Sequence, residues 1–151
     1  MPSEVMVDGA ALLEEVRENY REVAIDLHGD HHFHTGRSFA AHLGYETEIV
    51  DPMPDVAVES YAGVANPFSL RRLVPGERVV DVGSGGGFDS FFAAAHVGES
   101  GAVIGVDMTE EMLAQSRSTA AAMGLPNVDF REGLTEELPV EDGWADVVIS
   151  N

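Results

Sequence analysis

The sequence predicts an α/β fold: a partial parallel sheet of about four strands, helices on both faces, and a helical N-terminal extension. Three observations carry this. From Arg78 onward, short β-branched runs alternate with helical stretches, the pattern of right-handed βαβ crossovers. The first run, Val79-Val80-Asp81-Val82, meets the glycine-rich turn Gly83-Ser84-Gly85-Gly86-Gly87 and then a helix. Before Pro75 the apolar residues recur at helical spacing between loops, with no alternation of strand type.

The elements follow in order. Asp8 is placed to cap a helix over residues 9–24, with Leu12, Leu13, Val16, Tyr20 and Val23 on one face and Glu14, Glu15, Glu18 and Glu22 on the other. Residues 26–37 lack apolar periodicity and hold His28, His31, His32 and His34. A helical turn or two is expected over 38–43, a loop with two prolines over 44–54, a helix from Pro54 or Asp55 through Val56, Val58 and Tyr61, and a short helix over 68–73. Pro75-Gly76-Glu77-Arg78 is a turn. Strand one spans 78–82 and helix one 88–97. Strand two spans 102–107. Thr109 is expected to cap a helix with Glu110 and Glu111 in its first turn, ending at Gly124. Strand three covers 128–131, a loop 132–143, and strand four 145–150. The extension takes residues 1–74 and the sheet domain 75–151. Phe91, Phe92, Trp144, Tyr20 and the methionines read as core; Tyr61 reads equally as core or as site.

Composition narrows the partners. There are 27 acidic residues against 8 basic ones, a net charge of −19. Such a surface repels nucleic-acid phosphate and anionic membrane, so neither is an expected partner. No apolar run reaches membrane-spanning length and no basic-then-apolar leader opens the chain, so a cytoplasmic protein is expected. The acidic, lysine-free composition fits a high-salt cytoplasm or a high-GC genome. Cysteine is absent, which removes disulfides, thiolate metal sites and thiol nucleophiles. The histidine group, with Asp30, matches no zinc spacing. Its residues read as loop or cap histidines; a lid in which His32 or His34 meets substrate, or a metal site, are the alternatives.

The turn is where chemistry is expected. A strand that turns tightly into a helix N-terminus sets backbone N–H groups and a positive dipole end beside open space. Glycines at 83, 85 and 87 give G-x-G-x-G, whereas a dinucleotide fingerprint needs a small residue where Phe88 stands. That counts against a nicotinamide-dependent oxidoreductase. Asp81 beside the turn disfavours pyrophosphate and suits a ligand with a cationic amino group. Asp107 ends strand two, where an acid accepts both ribose hydroxyls. S-adenosylmethionine satisfies both.

Residues 81–87, Gly105-Val106-Asp107-Met108-Thr109-Glu110-Glu111-Met112-Leu113, Phe130-Arg131-Glu132-Gly133 and Val147-Val148-Ile149-Ser150-Asn151 together resemble a Rossmann-like class I S-adenosylmethionine-dependent methyltransferase. Val97-Gly98-Glu99-Ser100-Gly101 and Gly63-Val64-Ala65-Asn66-Pro67 are similar to the arsenite methyltransferase group within it. The resemblance implies that Asp81, Gly83, Ser84, Gly85 and Gly87 hold the methionine moiety. It implies Asp107 for the ribose, Met108 for the adenine face, Gly133, Leu134 and Thr135 for the adenine edge, and Asn151 near the reactive methyl. Many relatives carry an acid where Leu134 stands. That group holds arsenic through cysteine thiolates, one of them where Val64 stands, so arsenite is not the expected acceptor. The expected activity is methyl transfer to a small molecule. The alternative is a non-catalytic module that dimerises through the strand-four edge, since the chain stops where the family's sheet continues.

Overall fold

A computed structural model describes residues 9–25 and 36–151. The expectations for Asp8 and for His28, Asp30, His31, His32 and His34 lie outside the described residues, and so does the Tyr20 side chain. The elements are α1 (Gly9–Ile25), α2 (Gly36–His42), α3 (Thr47–Val50), α4 (Asp55–Glu59), a 3-10 turn (Pro67–Ser69), β1 (Arg78–Val82), α5 (Phe88–Val97), β2 (Ala102–Asp107), α6 (Glu110–Met123), β3 (Val128–Glu132) and β4 (Val147–Ser150).

The sheet is parallel, in the order β3-β2-β1-β4. Val79 is level with Val103 and with Val147, and Asp81 with Gly105 and Ile149. The chain steps from β1 outward to β2 and β3, then returns across β1 to β4. The order therefore reverses between β1 and β4, where an open parallel sheet forms its ligand crevice.

Helices were expected on both faces; among the described residues α5 and α6 gather on one. Two right-handed crossovers stepping the same way must lie on the same side. Ala93, Ala94 and Val97 of α5 pack on Val79, Val103 and Ile149. Leu113 and Ala120 of α6 join Phe91 and Phe130, beside α5. On the opposite face Val80, Val82, Ile104 and Val106 are packed by Val140, Trp144 and Ala145 of the β3–β4 connection.

The segment before β1 is built onto the same core. Tyr45, Val50, Met53, Val58 and Tyr61 cluster with Phe88, Phe91 and Phe92. Three local expectations are corrected here. The 44–54 loop contains α3, because the Arg37 guanidinium donates to Val50 O at 2.8 Å and Met53 O at 2.7 Å and folds that stretch back on α2. The helix expected over 68–73 is only the 3-10 turn, started by Asn66, whose side chain accepts from the Phe68 N–H at 3.0 Å. Thr109 does not cap α6 with its hydroxyl, which is buried without a partner among the described residues. Asp107 accepts from the N–H of Thr109 itself at 2.9 Å, which fixes the chain as it enters the helix. Strand four is also shorter than expected, beginning at Val147. No helix among the described residues is long and apolar enough to cross a membrane.

Candidate functional site

A cavity of about 370 Å³ opens at the carboxyl ends of β1 and β4. Its floor is the turn after β1. Gly83 and Gly85 hold φ of +73° and +54°, the left-handed region that glycine enters without strain. A Cβ at either would meet nothing within 4 Å, so the backbone at both faces open space. Gly86 is different: a Cβ there would lie 2.4 Å from the Ser60 hydroxyl. The main chain must come this close because Ser60, at the end of α4, closes one wall. Ser60 is fixed by donating to Val56 O at 2.8 Å and accepting from Gln115 of α6 at 3.0 Å.

Of the residues expected from sequence, Asp81, Gly83, Ser84, Gly85 and Asn151 line this cavity. Asp107 stands just behind it, its carboxylate accepting from the Gly85 N–H at 2.9 Å and so holding the turn. Gly87 is not on the wall. Its missing side chain makes room for Phe91 and Phe130, whose rings a Cβ would approach to 2.8 and 3.0 Å. Met108 and Thr135 are not on the wall either, nor are Gly133 and Leu134. A Cβ at Gly133 would strike Pro139 at 2.6 Å, and Leu134 bridges to Glu137.

The structure adds Ser60, Tyr61, Ala62, Gly63, Phe88 and Asp89 to the wall, with Met112 of α6 and Val16 of α1. Asp89 is the largest omission. It lies in the first turn of α5, where a carboxylate is favoured by the helix dipole, and is 7% exposed. Tyr45 donates to it at 2.6 Å and the Asn151 amide at 3.0 Å. Its acidic identity one residue after Phe88 was visible, but its partners are 44 and 62 residues away.

Asn151 ties the cavity to the 62–65 stretch. Its amide oxygen accepts from the backbone N–H groups of Val64 at 2.9 Å and Ala65 at 3.2 Å, and its nitrogen donates to Ala65 O at 2.6 Å. Tyr61, 5% exposed, has its hydroxyl 3.0 Å from Ala65 O and 3.1 Å from the Tyr45 hydroxyl. Gly63 must be glycine: a Cβ would lie 2.4 Å from the Asn151 nitrogen.

The electrostatics are one-sided. Asp81 is 2% exposed, with Ser90 donating to it at 2.7 Å. Burial, then the neighbouring Asp89 charge, push its carboxyl up to about 8, against the Ser90 hydrogen bond. Burial also raises Asp89, opposed by the bonds from Tyr45 and Asn151. Burial raises the Tyr45 and Tyr61 phenols, keeping both neutral. No lysine, arginine or histidine is on the cavity wall among the described residues. The chemistry of these groups fits a ligand that carries positive charge. The open glycine floor and the Ser84 hydroxyl, 8% exposed and without a partner among the described residues, fit one that is also polar.

A glycine cradle at the switch point of a parallel sheet defines a Rossmann-like small-molecule-binding domain. Comparison with known proteins places it more closely. Residues 73–151 match a family described as a methyltransferase domain. Over 133 residues, 86% of this chain, it is 43% identical to an arsenite methyltransferase of Halobacterium salinarum, covering 34% of that protein. It is 36% identical over 79 residues to a demethylmenaquinone methyltransferase of Bacillus cereus, covering 52% of this chain and 33% of that one. Among solved structures it resembles an arsenic(III) S-adenosylmethionine methyltransferase from Chlamydomonas reinhardtii, with TM-score 0.53 and 32% identity over 78% of this chain and 40% of that one. A methyltransferase from Aquifex aeolicus gives TM-score 0.50 and 32% identity over 52% and 42%. The chain belongs to the class I S-adenosylmethionine-dependent methyltransferases. It spans about a third of the length of the curated relatives it matches.

Proposed function

We propose that this chain forms the S-adenosylmethionine site of a methyltransferase acting on a small-molecule acceptor. The observation that carries the reading is the cavity itself: a glycine floor open to ligand, walled by buried carboxylates and by no described cation. When bound, the cofactor supplies a methyl group made electrophilic by its sulfonium. In this reading Asp81, Ser84 and the backbone of Gly83 and Gly85 hold its cationic amino-acid end. Asp107 accepts the ribose hydroxyls, and the adenine extends beyond this cavity, with Met108 on its face and Gly133, Leu134 and Thr135, all off the cavity wall, along its edge. Tyr61, Phe88 and Met112 keep water from the reacting end, beside Asn151. Orientation and water exclusion supply most of the acceleration in such a displacement, and no side chain here is assigned as a general base.

The acceptor is a small molecule other than arsenite captured by thiolates of these residues. The chain has no cysteine, and Val64, at the rim beside Gly63, is 82% exposed and cannot ligate arsenic. The net charge of −19 supports an acceptor that is neither nucleic acid nor membrane, and a cytoplasmic setting is part of the reading. Calorimetry with S-adenosylmethionine and S-adenosylhomocysteine tests it: binding in the micromolar range is expected, and no heat from either ligand at protein concentrations of tens of micromolar refutes it. One observation favours a second reading, a module that associates through β4. Val148, on this edge strand, is 60% exposed. Sedimentation of wild type and Val148→Asp decides: a wild-type dimer that the variant abolishes supports association, and a wild-type monomer rejects it.

A further inference from the structure

We propose that Asp89 makes this site select the positively charged methyl donor over its neutral demethylated product, by adding a second carboxylate beside Asp81 on the cavity wall. The inference rests on the cofactor reading above and goes beyond it. In methyl transfer the acceptor's lone pair forms the new bond to carbon, and the carbon–sulfur pair stays on sulfur. The donor's sulfonium becomes a neutral thioether and the positive charge leaves with the acceptor. A cavity with fixed negative charge near the sulfur therefore holds the donor more tightly than what remains of it, and so favours exchange of spent product for fresh donor.

The placement supports that role. Asp89 lines the cavity and accepts from Asn151, the residue after β4 that the cofactor reading sets beside the reacting end. Its two oxygens are held by Tyr45 and Asn151, so the carboxylate is fixed in position and cannot swing to solvent. The ionisable groups facing it are Asp81 on β1, Tyr45 before α3 and Tyr61 after α4, with Asp107 on β2 acting on Asp81; α1 and α6 present Val16 and Met112 to the cavity. None of these is a cation. Burial pushes both carboxyls up, and the Asp89 charge pushes Asp81 further, so the ionised pair favours a cation beside it. Donor and product share the ammonium held at Asp81; only the donor brings a second positive charge, on sulfur, for Asp89 to meet.

The test is titration calorimetry of the full chain with S-adenosylmethionine and S-adenosylhomocysteine, in two buffers of different ionisation enthalpy, for wild type and Asp89→Asn. Wild type is expected to release more protons on binding the donor than on binding the product. In Asp89→Asn the donor is expected to weaken about tenfold more than the product, with the proton release reduced. Equal weakening of both ligands, or no change in either, overturns the proposal and leaves the cofactor reading intact. A wild-type chain that binds neither ligand refutes the cofactor reading and this proposal with it. If the variant does not fold, wild type alone decides between pH 6 and 9: donor affinity must climb with pH relative to product affinity, and a constant ratio overturns the proposal.

Discussion

Removing the Tyr45 hydroxyl probes the ionised state of Asp89. In Tyr45→Phe the ring keeps its packing on Tyr61, Phe88 and Phe92, whose centroids lie 5.5, 4.9 and 5.1 Å away. What is lost is the 2.6 Å hydrogen bond to Asp89, together with the oxygen that accepts from Tyr61 at 3.1 Å and Asn151 at 3.2 Å, both of which keep Ala65 O as a partner. A hydrogen bond to a charged group is worth about 1.5–3 kcal/mol. In a chain of this size each kcal/mol moves the melting midpoint by about 2–4 °C, so a fall of roughly 3–12 °C is expected at neutral pH. The pH dependence has a definite sign. Burial raises the Asp89 pKa and the Tyr45 bond restrains it, so the variant's Asp89 is raised further. A carboxyl raised on folding contributes stability that is whole below its unfolded pKa, near 4 for aspartate, and is lost as pH rises through the folded value. The variant must therefore lose more stability relative to wild type at pH 8 than at pH 5. Urea denaturation at both pH values measures this. Equal losses would mean that the hydroxyl supports no ionised carboxylate, and the charge argument for Asp89 would fail.

Four further outcomes are expected. Gly63→Ala, whose Cβ would meet the Asn151 nitrogen at 2.4 Å, should cost about 1–3 kcal/mol in thermal melts; wild-type stability would mean that the 62–65 stretch yields freely. Asp107→Ala strands the Gly85 and Thr109 N–H groups and should cost about 1–3 kcal/mol of stability as well as weaken S-adenosylmethionine tenfold or more; lowered stability with unchanged affinity would confine Asp107 to holding the turn. Arg37→Ala, which frees the carbonyls of Val50 and Met53, should lower stability by about 1–2 kcal/mol, read by denaturant titration. Molar potassium chloride should raise the melting midpoint by screening the −19 charge, and a flat response in a salt series would show that self-repulsion is minor.

What could be read from sequence divides by the distance over which each feature is determined. β1, the glycine turn, α5, β2 and α6 were legible because their signals are local: β-branched runs for strands, glycines at the turns, and Gly124 stopping α6 with φ +64°. At α6 the position of the cap was legible but not its chemistry: Thr109 stands at the N-cap, yet its hydroxyl accepts no helix N–H, and its own N–H is taken by Asp107. The segments before β1 were less legible because they are shaped from outside, α3 by Arg37 on the preceding helix and the 62–65 stretch by Asn151 just after β4. The same holds within the site. Asp81, Gly83, Ser84 and Gly85 are neighbours in sequence and line the cavity together, so one motif found them. Asp89 sits in the same stretch but draws its character from Tyr45 and Asn151, and nothing within a helical turn of it signals a buried charge. Motif spacing thus locates the floor of the cavity. The charge that decides what the cavity can hold comes from residues brought together by the topology, at the point where β4 returns beside β1.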